Sequence, residues 1–159
     1  MRASRSSPKR SNVELKPIQC VCTNLKMTSR AVGRTYDLGL DASGVNVVQY
    51  AVLINISRYQ PISLARLADH LEMDRTTLYR ALDILEKDGL VVVDDSGAGV
   101  AKVVRLTARG ATTTAKAERL WQKLHDDFLA KFGPKKLAEL NELLGDIREH
   151  FKGVLASSR

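Results

Sequence analysis

The sequence predicts a mainly α-helical chain with a small β-hairpin, and three observations predict it. Apolar residues recur at three- and four-residue spacing on both sides of the chain's middle. Only Leu90-Val91-Val92-Val93 and Lys102-Val103-Val104-Arg105-Leu106 read as β-branched strands, and they flank Asp94-Asp95-Ser96-Gly97-Ala98-Gly99, a hairpin loop by composition. Between Ser63 and Gly89, two short helical patterns are separated by a tight turn. Helix, turn, helix and hairpin in that order make a winged helix-turn-helix, which in a basic protein points to double-stranded DNA.

Taken in chain order, Pro17 suits a helix start, and Ile18, Cys22, Leu25, Ser29, Val32 and Tyr36 then alternate at spacings of four and three. This stripe is expected on one buried face, and Gly39, Asp41, Ser43 and Gly44 end it. Asn46 with Gln49 three residues later forms a capping-box pattern, opening a helix through Tyr50, Leu53, Ile54 and Ser57 that stops before Pro61. Ser63 can cap the next helix, whose apolar positions are Leu64, Leu67, Ala68 and Leu71. Met73 and Asp74 close the turn, with Asp74 as N-cap of a helix that buries Leu78, Ala81, Leu82 and Leu85. Gly89 ends that helix, because glycine takes the left-handed C′ conformation cheaply. Its outward face carries Arg75, Thr76, Thr77, Tyr79, Arg80 and Asp83, polar and cationic in the N-terminal half. A recognition helix meets base edges and phosphates with that half.

Past the hairpin, Thr107 caps a long helix bearing Leu120, Trp121, Leu124, Phe128 and Phe132. Gly133-Pro134 breaks it, and Pro134 occupies the first turn of a last helix. There Leu137, Leu140, Leu144, Ile147, Phe151 and Val154 recur at three, four, three, four and three, a heptad-like seam. A winged lobe does not need these additional amphipathic helices to fold. Helices from both ends of the chain are therefore expected to build a homodimer interface, which would present two recognition helices to half-sites about 34–36 Å apart.

The formal net charge of the 159-residue chain is +7. The first twelve residues hold four cations and no acid, so over half the excess sits in a stretch too polar to fold. Attraction to DNA by the folded part must come from local clustering. The basic stretch has no apolar core of a secretory signal, and Ala51-Val52-Leu53-Ile54 is too short to span a bilayer. Without a disulfide framework, a cytoplasmic protein with no membrane partner is expected. No nucleophile–base pair, P-loop, dinucleotide fingerprint or metal-ligand spacing appears, so neither an enzyme, a cofactor nor a metal is expected. His70, His125 and His150 stand singly.

The segments CTNLKMTSRAVGRTYD, VNVVQYAVL and MDRTTLYRALDILEKDGLV, the last followed by VVRLTARG, together resemble the MarR family of transcriptional regulators from about Leu15 to Val154. The resemblance implies a homodimer that binds a pseudo-palindromic operator, usually as a repressor, and releases it when a small ligand or oxidant alters the spacing of its DNA-reading lobes. Arg75, Thr76, Thr77, Tyr79 and Arg80 would enter the major groove, with Lys102 and Arg105 on phosphate. Family wings commonly carry Asp-x-Arg before the second strand, but those places hold Ala98 and Val100 here. The basic tail, through Arg2, Arg5, Lys9 and Arg10, is expected to supply part of the missing charge.

Cys20 and Cys22 are the only thiols, and two residues apart on a helix they diverge by about 200°, which opposes a mutual disulfide. The chain is similar in part to the OhrR-like peroxide sensors of the same family, whose reactive cysteine aligns with Cys22 and one of whose supporting tyrosines aligns with Tyr36. Their other two tyrosines are Lys26 and Val47 here. Cys22 is then either a peroxide-sensing thiol or a small hydrophobe in the dimer core. If it is structural, the resemblance implies an effector pocket for a small aromatic ligand, with Tyr36, Tyr50 and Trp121 as lining candidates.

The sequence thus organises as a basic tail (1–14), a helical dimerisation region (15–42 and 107–159) and a winged helix-turn-helix lobe (43–106). The leading expectation is an effector-released repressor. A peroxide-sensing repressor acting through Cys22, and a protein-docking winged helix that does not read DNA, are the alternatives.

Overall fold

A computed structural model describes residues 20–94 and 101–157, with side chains to residue 153. The elements are α1 (Val21–Leu40), a 3-10 turn (Asp41–Ser43), α2 (Val47–Tyr59), β1 (Ile62–Ser63), α3 (Leu64–His70), α4 (Arg75–Lys87), β2 (Val91–Asp94), β3 (Val103–Leu106), α5 (Ala108–Phe132) and α6 (Pro134–Ser157). The expected mainly helical fold with a hairpin wing is present.

Local hydrogen bonds explain the boundaries. Gln49 N–H donates to Asn46 Oδ1, and Asn46 N–H donates to Gln49 Oε1, both at 2.9 Å, completing the capping box of α2. Asp37 of α1 takes a further free amide there, accepting from Val47 N at 2.8 Å. Ser63 accepts from Arg66 N, Asp74 from Thr77 N, and Thr107 from Gly110 N, so each expected cap is formed. Gly89 has φ +67°, the left-handed residue that ends α4.

Cys20 is the extended N-cap residue of α1, which opens at Val21; the expected start at Pro17, with Ile18, lies outside the described residues. The strands begin at Val91 and Val103, one residue later than the apolar runs suggested, although Leu90 carbonyl still accepts from Thr107 N at 3.1 Å at the end of the ladder.

The sheet is antiparallel in the order β1-β3-β2, with Ile62 opposite Val104 and Val93 opposite Val104 on the other side. Strand β1 was not expected from sequence. It is two residues long, too short to show alternation, and exists through its pairing with β3, extended by Leu64 N donating to Lys102 O at 3.0 Å.

The core is the winged lobe. Val52, Leu53 and Ile56 of α2, Leu67 of α3, Leu78 and Leu85 of α4, Val91 and Val104 of the hairpin and Leu40 at the end of α1 are fully buried together. From α5 only Gly110, Thr114 and Ala117 are buried. A Cβ on Gly110 would stand 1.9 Å from Leu90 O, so glycine is what lets α5 start against the wing.

The burial expected for the α1 stripe is not met in the single chain. Cys22 and Ser29 are exposed, Val32 is 48% exposed, and Leu25 and Tyr36 are half-buried, because α5 covers the helix on one side only. The α6 seam is likewise open: Leu140 is 38% and Phe151 49% exposed, while Leu137, Leu144 and Ile147 are half-buried. Val154 lies outside the residues whose side chains are described.

Candidate nucleic-acid interface

Helix α4 buries one face in the lobe and leaves Arg75, Thr76, Thr77, Tyr79, Arg80 and Asp83 exposed on the other. Asp74 organises its entry: Oδ1 accepts from Thr77 N at 2.9 Å and Oδ2 from the Thr77 hydroxyl at 2.5 Å. Hydrogen bonds from Thr77, first the hydroxyl and then the backbone, hold the Asp74 carboxyl below its ordinary pKa. The hydroxyl proton of Thr77 is thus committed to its own cap, which leaves its oxygen as an acceptor.

Two shallow creases join α4 to the wing. Tyr79 and Lys102 line both, with Leu64; Arg75 and Ser63 border one, while Asp83, Glu86 and Val93 border the other. Glu86 fastens the C-terminal half of α4 to β2 by accepting from Val93 N at 3.0 Å. Arg105 is paired with Asp94, its diagonal neighbour across the β2–β3 ladder. The structure therefore gathers Arg75, Tyr79 and Lys102 on one surface, keeps Arg80 exposed along the same helix, and ties Arg105 into an ion pair. The wing tip with Ala98 and Val100, and the tail with Arg2, Arg5, Lys9 and Arg10, lie outside the described residues.

The effector candidates separate. Tyr50 is 5% exposed, in the lobe core, with its ring centroid 6.2 Å from Trp121; burial raises its pKa. Trp121 stacks on His125 at 4.9 Å. Tyr36 instead lines a cleft of about 490 Å³ between α1 and α5, with Val32, Leu124 and Phe128 as walls and Asp127 and Lys131 at the side. Sequence periodicity had already placed Leu124 and Phe128 on one face of α5, but the cleft itself depends on how α1 crosses that helix.

Cys20 and Cys22 are both exposed. The Thr23 side chain, then backbone amides of Thr23 and Cys22, lower the Cys20 pKa. Among the described residues, no group of three or more His, Cys, Asp or Glu side chains could hold a metal. No described helix is long and apolar enough to cross a membrane.

Comparison with known proteins fits this surface. The sequence model of the MarR family matches residues 45–96, the stretch that holds α2 to β2. The M. tuberculosis transcriptional regulator MosR, in its complex with DNA, is 30% identical with a TM-score of 0.73, over 83% of this chain and 98% of that one. The chain belongs to the MarR family. MarR proteins are transcriptional regulators rather than enzymes. A second MosR structure gives 29% identity and a TM-score of 0.71, over 84% of this chain and 98% of that one. A mutant of E. coli MarR complexed with operator DNA shares the fold at 24% identity and a TM-score of 0.70, over 79% of this chain and 91% of that one. No curated protein sequence matches the chain. In MarR terms, α3 and α4 are the helix-turn-helix and β2–β3 the wing.

Proposed function

We propose that this MarR-family DNA-binding regulator acts as a homodimeric repressor. Paired α4 helices would read a pseudo-palindromic operator, and a small effector would release it. The observation that carries the reading is the exposed α4 face, cationic at its N-terminal half and bordered by Lys102 of the wing. Arg75, Thr76, Tyr79 and Arg80 enter the major groove, with Thr77 contributing an acceptor oxygen and Lys102 reaching phosphate. Arg105 reaches phosphate only by leaving Asp94. The open faces of α1 and α6 supply the dimer contact, so residues 15–42 and 107–159 form the dimerisation region around a lobe spanning 43–106. The cleft holding Tyr36 suits a small aromatic effector; it is mostly apolar with a cation and an anion at its side. MosR and E. coli MarR have been captured on DNA, and S. aureus MarR with salicylate.

Selection of duplexes from a random-sequence pool, followed by a salt titration of the tightest one, tests this reading. A DNA reader shows a linear fall of log K with log salt; a protein-docking winged helix shows no such slope. Arg80→Ala is expected to cost about 1–3 kcal/mol with relaxed preference at one base position. A uniform loss across sequences marks a phosphate contact instead.

A second reading rests on the exposure of both thiols, with Cys22 at the place where the resemblance to peroxide sensors puts the reactive cysteine. In it, oxidation releases the operator. Peroxide release of bound duplex by wild type but not by Cys22→Ser supports sensing through Cys22; release persisting in Cys22→Ser removes that role.

A further inference from the structure

Among the described residues, helix α6 reaches the helix-turn-helix through a charged contact. Lys152 Nζ donates to Glu72 Oε1 at 2.8 Å across 80 residues of sequence, and also to Glu149 Oε1 at 3.3 Å on its own helix. Arg148, one turn earlier on α6, adds its charge near Glu72. Glu72 stands in the turn between α3 and α4, two residues before the Asp74 cap. Its φ is +48°, a left-handed conformation that glycine or asparagine would adopt at less cost. The backbone of this turn is fixed by Glu72 N donating to Asp69 O and Met73 N to Ala68 O. The backbone of such a turn does not itself call for a carboxylate, and glycine would meet its geometry at less cost. A glutamate adds a carboxylate that α6 can hold.

We infer that Lys152, with Arg148 behind it, is a positioning residue that grips Glu72 and sets the angle of the DNA-reading turn relative to the C-terminal helix. This rests on the DNA-reading function proposed above. An exposed ion pair adds little to global stability. Its leverage is on orientation, because Glu72 lies in the turn that leads through Asp74 into α4, and any rocking of the turn moves Arg75 and Tyr79 with it. Since α6 also carries the open apolar seam, the bridge ties the pose of α4 to the helix that faces a second copy.

The test exploits a sign. Removing a carboxylate beside the DNA-facing entry of α4 should by electrostatics alone tighten binding. If the bridge positions the turn, Glu72→Gln weakens binding, on the order of three- to tenfold, through a smaller competent fraction. Lys152→Gln produces the same loss, and the double variant is no weaker than either single one, with the salt slope and melting temperature of all three close to wild type. The probe is the tightest duplex recovered from the random-sequence pool, measured by fluorescence anisotropy. Unchanged or tighter binding by Glu72→Gln overturns the inference. So does a reduced salt slope in Lys152→Gln, which would make Lys152 a phosphate contact. A wild-type protein that binds no duplex overturns the DNA reading itself, an outcome separate from either of these.

Discussion

Asp74 does two things at the entry of α4: it fills free helix amides, and it fixes the rotamer of Thr77 on the face turned outward. Its carboxyl is held below the ordinary value by those bonds, so its folded-state pKa lies beneath its unfolded one. The sign follows from linkage: the stabilisation is complete above the unfolded aspartate range and is lost as pH falls through the lowered folded value. Asp74→Ala should therefore melt lower than wild type at neutral pH, with the gap closing on the acidic side of the aspartate range. A gap that persists there would mean the cap acts through something other than its charge. This residue was legible in the sequence, since an N-cap bonds only three positions away. Glu72 was not. Its partner Lys152 is 80 residues distant, and no local pattern announces a contact made by a side chain from another helix. Arg105 falls between: its strand was readable, but its pairing with Asp94 required the register of β2 on β3.

At the scale of elements, helices with their own caps and apolar stripes were read almost to the residue, and failures occurred where an element depends on a neighbour. Strand β1 is held by β3, which follows it in sequence only after α3, α4 and β2. The junction of β3 and α5 shows how closely such elements are fitted. Thr107 accepts from Gly110 N at 2.9 Å and donates to Gly89 O at 2.7 Å, pinning the start of α5 to the end of α4. Gly110 meets the Leu90 carbonyl with no room for a Cβ. Gly110→Ala is expected to destabilise the lobe by about 1–3 kcal/mol, because the helix start must shift off the wing. Urea denaturation followed by circular dichroism would measure it; a change within a few tenths of a kcal/mol would show that the junction yields easily.

For the whole molecule, the distribution of burial is the informative quantity. The lobe closes its own core, yet α6 buries no residue among those described, and Leu143 on it is 61% exposed. A long, unpartnered apolar seam is costly in water and inexpensive when a symmetry mate covers it, each fully buried leucine contributing about 1.5–3 kcal/mol. That asymmetry was visible in the heptad-like spacing of Leu137 to Phe151, although sequence could not say which of those side chains the single chain would half-cover by itself. The proposed dimer then has a consequence for DNA. Two recognition helices on one rigid scaffold bind the second half-site as an intramolecular event, which raises affinity by about 10²–10⁴ over one helix alone. Leu144→Lys places a charge in the seam while leaving the lobe core untouched. It should sediment as a folded monomer at concentrations where wild type is dimeric, and bind the selected duplex on the order of a hundredfold more weakly, with a salt slope near half that of wild type. A variant that stays dimeric would move the interface away from this part of α6. A monomer with undiminished affinity and slope would mean that each lobe reads DNA independently.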